Sequence, residues 1–176
     1  MEDQTIIRSE GDRLQPALLD RLTDDEPEQR QETLQNFVVS KGRLKRTVLR
    51  DLVWLLNTTA HNTSGQLDDY PEIRSSVINY GIPVLSGKNF SGVDWRELER
   101  QIHDAIVAFE PRILPDSLSV KANVPTDPME HHNLLQFELR GELWSIPYPV
   151  ELLLRSELDL ETGYMKLTDQ LASGGG

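Results

Sequence analysis

The hydrophobic period of this chain changes once, at Pro111, and that change limits the fold more than any other feature. Before it, Trp95, Leu98, Ile102, Ile106 and Phe109 follow at intervals of 3, 4, 4 and 3, which places them on one face of a helix over about 93–110. Pro111 ends that helix, because the residue before a proline avoids the α region. After it, Leu118, Val120, Ala122 and Val124 alternate, as do Leu135, Phe137 and Leu139, the pattern of strands with one buried face. Helices first and strands later predict an α+β domain: N-terminal helices packed on a small, mainly antiparallel sheet with a late β-hairpin.

The finer reading fills in this outline. Ser40 is placed to cap a helix over 41–57, whose Leu44, Val48, Leu52 and Leu55 form the apolar stripe. Gly42 is an awkward residue so near its start, since glycine in a helix costs about 1 kcal/mol relative to alanine. A polar helix is expected over 28–39. A short one is expected over 71–79, opened by Pro71 and stopped by Gly81. Arg140-Gly141 reads as a hairpin turn with a return strand through Leu143 and Trp144. Leu160-Glu161-Thr162-Gly163 reads as a second turn, with Tyr164 to Leu167 as its partner strand. The expected organisation is a flexible acidic arm with a short docking helix over 1–27, one α+β domain over 28–170, and a loose tail over 171–176.

Charge and apolar patterning suggest surfaces. The chain carries 29 acidic and 18 basic residues, a net charge of −11. That argues against nucleic acid, whose binders concentrate positive charge, and against anionic membrane surfaces. Yet residues 41–50 hold five bases and no acid. On a helix, Arg43, Arg46 and Arg50 share a face at i, i+3 and i+7, either as a docking surface or as a solvated face. In the arm, Leu14, Leu18 and Leu22 recur every four residues, a stripe too short to stand alone as a helix. It either docks on a partner or packs back on its own domain. No apolar run approaches the roughly 18 residues of a membrane span, and the N-terminus has no basic start or apolar core. Neither membrane insertion nor a signal peptide is expected.

Little in the chain points to catalysis. With no cysteine, thiolate nucleophiles and cysteine-type zinc sites are excluded. Neither a nucleophile elbow nor a glycine-rich phosphate loop occurs. Adjacent His131 and His132 point to opposite sides of an extended chain and make a poor chelate, even with Asp127 and Glu130 nearby. No cofactor or metal is expected. Glu110 is the residue that breaks a local rule. It ends a helix, where the macrodipole opposes negative charge, so a cation must compensate it: Arg112 or an arginine of the 41–57 helix. It is either half of a structural or interface ion pair or a catalytic acid lacking an identifiable second carboxylate.

Five stretches together resemble the TssE family of type VI secretion baseplate subunits: Leu14–Leu22, Leu49–Thr58, Tyr70–Gly87, Phe109–Ile113 and Phe137–Gly163. That family is similar to the contractile phage tail wedge protein once labelled lysozyme-like. The resemblance implies a non-enzymatic structural subunit at the cytoplasmic, inner-membrane-proximal baseplate. It would sit in a wedge with TssF and TssG, alongside TssK, and link the wedge to the TssB/TssC sheath to help start sheath assembly. The family's Glu-Pro-Arg motif falls on Glu110, Pro111 and Arg112, implicated in wedge docking. Its late hairpin, about Val150–Leu167 here with Leu158 and Tyr164 beside the turn, resembles the strand-exchanging part of a sheath subunit. The historical label leaves one alternative, a peptidoglycan-cleaving glycosidase using Glu110.

Overall fold

A computed structural model describes residues 18–22, 40–61, 69–84, 94–123 and 134–170. The expected 28–39 helix, Leu14, His131, His132 and the 171–176 tail lie outside them. Among the described residues, four helices, α1 (Leu18–Leu22), α2 (Lys41–Leu56), α3 (Pro71–Arg74) and α4 (Trp95–Phe109), precede four strands, β1 (Ser119–Asn123), β2 (Leu134–Leu143), β3 (Val150–Asp159) and β4 (Met165–Asp169). The strands form one antiparallel sheet in the order β1-β2-β3-β4. The α+β reading holds, and so does the order of helices before strands.

Each long helix begins on a side-chain cap. The Ser40 hydroxyl accepts from the Arg43 N–H at 3.2 Å, and the Asp94 carboxylate accepts from Arg96 and Glu97 N–H at 3.1 and 3.2 Å. These bonds satisfy donors that the first turn leaves open. Gly42 therefore does not prevent α2 from starting at Lys41. The two helices cover one face of the sheet, α4 over β1 and α2 over β4. Between the layers lie Val48 and Leu52 of α2, Ile102 and Ile106 of α4, and Leu135, Phe137, Leu154 and Leu158 of the sheet, all fully buried or nearly so. Along β2 and β3 burial alternates almost without fault, as one-sided packing requires. The other face is charged: Lys121, Glu138 and Arg155 lie side by side across three strands.

Two expected turns fared differently. Asp159 anchors the turn after β3, its carboxylate accepting from Glu161 and Thr162 N–H, and Gly163 takes a positive φ of 73° there. Those two backbone bonds hold the Asp159 carboxyl below the usual range. Arg140-Gly141 is not a turn. Both residues lie inside β2, opposite Leu153 and Leu152. Gly141 serves close packing, since a Cβ there would sit 3.3 Å from Ile113 Cγ2. The actual connection is residues 144–149, where Pro147 and Pro149 lack the N–H that a ladder needs. The short helix is also broken, α3 ending at Arg74 before a separate 3-10 turn at Val77–Asn79.

Gly42 and Gly81 should respond oppositely to alanine. Gly81 has φ of 127°, and a Cβ would lie 2.3 Å from the Thr58 carbonyl oxygen. It sits where Ala60 N–H and Ile82 N–H pair with Ile82 and Thr58 carbonyls, each at 2.9 Å. Gly81→Ala should destabilise by about 2 kcal/mol or more. Gly42 meets nothing within 4 Å, so Gly42→Ala should stabilise by about 0.5–1 kcal/mol. Urea unfolding midpoints check both signs.

Candidate functional site

Glu110 is the C-cap of α4; its N–H donates to the Ile106 carbonyl at 2.8 Å. Its side chain is only 4% exposed. A buried carboxylate at the negative end of a helix needs a cation and hydrogen bonds. Arg112 supplies both. Its Nε donates to Oε1 at 2.7 Å, its Nη2 to Oε2, and its backbone N–H to Oε1 at 3.2 Å. Pro111 sets the tight spacing that lets the guanidinium fold back on the residue two before it. Such bidentate pairing fixes orientation as well as supplying energy.

The guanidinium then bridges to α2. Nη2 also donates to Asp51 Oδ2, and Nη1 to Thr47 Oγ1 at 3.4 Å. The other oxygen of Asp51 accepts from Arg50 Nε at 2.9 Å. Arg50 in turn donates through Nη1 to Asp20 of α1 at 2.6 Å and lies 5.0 Å from the centre of the Trp54 ring. A chain of alternating charges, Glu110–Arg112–Asp51–Arg50–Asp20, thus runs from the end of α4 across α2 to the arm. Burial lowers the tendency of Arg112 to hold its proton, but Glu110 and Asp51 outweigh it and raise its pKa above the usual arginine value. Tyr80 closes the seam. Its ring meets Phe109 edge-on at 5.3 Å, and burial, with the charges of Asp51 and Glu110, raises its hydroxyl pKa.

The expected site residues are therefore sorted. Glu110 cannot meet a partner directly, because it is buried and both its oxygens bond Arg112; it acts from inside. Arg112 is one-quarter exposed and Pro111 is exposed, so they alone carry the motif to the surface. Arg50 is already bound within the chain, whereas Arg43 and Arg46 meet no carboxylate among the described residues. Leu18 and Leu22 are 70% and 75% exposed: α1 is tied down by Asp20 while its apolar stripe faces out. Leu158 is wholly buried on β3, a strand flanked by both neighbours, so it lies on no edge. Among the described residues the outer strand beside β3 is β4, next to exposed Tyr164. There Asp159 N–H donates to Tyr164 C=O and Gln170 N–H to Leu153 C=O. By alternation the even-numbered backbone groups, Lys166 included, face β3, and Leu167 faces outward.

Asp51 escaped the sequence reading, although it is the only acid in α2; amid the bases before it, that sign reversal was the available signal. It is the second carboxylate near Glu110, but the Arg112 guanidinium stands between the two. Glycoside hydrolysis needs that space for the sugar and a protonatable acid. The geometry fits a strut better than a catalyst. Arg112→Ala should strand Glu110 in the interior and destabilise by about 3 kcal/mol. Asp51→Asn, which leaves the Glu110–Arg112 pair intact, should cost about 1 kcal/mol. Thermal and urea unfolding of the two variants test the ranking, and equal losses would contradict it.

No curated protein and no solved structure matches this chain. A family model described as baseplate wedge protein gp25 does match, over residues 42–148. The match runs from the start of α2 through the β2–β3 connection, and so contains Asp51, Glu110, Pro111 and Arg112. It spans more than half the sequence, and on it the chain belongs to the baseplate wedge protein gp25 family, structural components of baseplates.

Proposed function

We propose that this chain is the TssE-type wedge subunit of a type VI secretion baseplate, acting without catalysis at its cytoplasmic, inner-membrane-proximal face. It joins TssF and TssG, lies alongside TssK, and offers the TssB/TssC sheath an edge from which assembly starts. The family match over residues 42–148 carries this reading. The structure supports it with surfaces of different chemistry: an arm whose Leu18 and Leu22 face out, a basic stretch at Arg43 and Arg46, the Pro111–Arg112 rim, and the β4 edge. None of the helices in the described residues is long and apolar enough to cross a membrane.

Co-expression with TssF and TssG followed by size exclusion tests the core of the proposal. The chain should elute with both; a chain that elutes alone would sink it. Deleting residues 1–24 should weaken that complex and leave the circular dichroism of the domain unchanged. Among the described residues the Asp20–Arg50 ion pair ties the arm to α2, and Arg50 keeps Asp51 without it, so losing that pair should lower stability by only about 0–1 kcal/mol. Loss of the folded signal would mean that the arm belongs to the core. A peptidoglycan zymogram should stay blank, and clearance abolished by Glu110→Gln would favour the glycosidase instead.

A further inference from the structure

Both edges of the sheet carry a side-chain cap donated by a helix. On β1, the Glu99 carboxylate of α4 accepts from the outward Ala122 N–H at 2.7 Å. On β4 the cap is more complete. Asn57, the C-cap of α2, accepts from Met165 N–H through Oδ1 at 2.8 Å and donates to Met165 C=O through Nδ2 at 2.8 Å. The same amide nitrogen donates to Val53 C=O at 2.8 Å, which anchors the carboxamide on the last turn of the helix. One carboxamide thus presents to β4 the donor and acceptor that a neighbouring strand would present. The next outward backbone position, Leu167, has no such cap among the described residues.

We propose that Asn57 is a register-setting guard on β4, a role that rests on the strand-edge part of the proposed function. It fills the outward hydrogen-bonding groups of Met165, so an added strand begins its pairing at Leu167. Edge strands expose a template that accepts wrong partners and wrong registers alike. A single occupied position at the start of the strand removes the registers that would extend back over the β3–β4 turn. The polar carboxamide also suits this role chemically. Both of its bonds to Met165 must be present for the position to be closed, whereas a carboxylate would satisfy only the N–H.

Amide exchange and cross-linking test this on the full-length chain. In wild type the Met165 amide should exchange slowly. Asn57→Ala should speed it by about tenfold or more, while Lys166 and Thr168 amides, bonded to β3, stay unchanged. Asn57→Asp should keep Met165 slow, because the carboxylate still accepts. Faster exchange across all of β4 in both variants would mean a general structural loss and overturn the guard. Because the chain has no cysteine, Tyr164→Cys and Thr168→Cys can each be cross-linked to single cysteines scanned along purified TssB/TssC. Thr168→Cys should cross-link in either background, and Tyr164→Cys only when combined with Asn57→Ala. The same pattern in both backgrounds would overturn the guard and leave the edge reading standing. No cross-link from any combination would overturn the edge reading and the guard with it.

Discussion

The guanidinium of Arg112 stands at the junction on which the two halves of the fold depend. The helical half ends at Glu110, with its carbonyl ends pointing at a buried carboxylate. The strand half begins immediately afterwards, and its backbone is bound to β2: Leu114 N–H donates to Glu142 C=O and Trp144 N–H to Arg112 C=O, both at 2.8 Å. Arg112 joins these halves with its main chain on the sheet side and its side chain on the helix side. Lysine could not do this. A single ammonium lacks the planar fork that engages Glu110 with two nitrogens while reaching Asp51 and Thr47.

That junction also explains why the charges of the motif are mostly inward. A charged pair left in water contributes little and is screened by salt. With Glu110 buried, the pair instead holds the α4 end, α2 and the start of the sheet in one arrangement. The surfaces that remain for partners then sit on a frame whose relative positions are set by the network. Arg112 and Asp51, each about one-quarter exposed, are where that frame reaches solvent. A partner charge arriving there would act on a side chain whose other bonds are already made, so little further ordering would oppose it.

The legible parts of the fold were those written in local period and local chemistry. The stripe from Trp95 to Phe109, the cap at Ser40, the stop at Pro111 and the turn at Gly163 all depend on neighbours within a few residues. The misreadings arose where the deciding contact is distant in sequence. Gly141 looks like a turn residue, but its role is set by Ile113, 28 residues earlier by difference of the two numbers. Leu158 stands beside a turn and so looked like an edge residue, but strand order put it between β2 and β4. In the site, the need of Glu110 for a cation followed from the helix dipole. That Arg112 would also reach Asp51 did not, because nothing in sequence spacing aligns α2 with the end of α4.

Asn57 illustrates the same limit from the other side. As a residue that ends a helix it is unremarkable, since asparagine is at ease where regular helix hydrogen bonding stops. Its carboxamide gains a second role only because α2 packs over β4, bringing the helix end to the outer edge of the sheet. Position 57 therefore answers two demands at once, and an alanine there would fail both. Among the described residues Glu99 on the opposite edge meets one outward donor, Ala122 N–H, so the two caps are not equivalent. An antiparallel sheet of four strands must end somewhere, and in this chain the helices decide how much of each end is left open. The open length is what a partner strand could read, so the packing of α2 and α4, more than any property of the strands, determines what the sheet can accept.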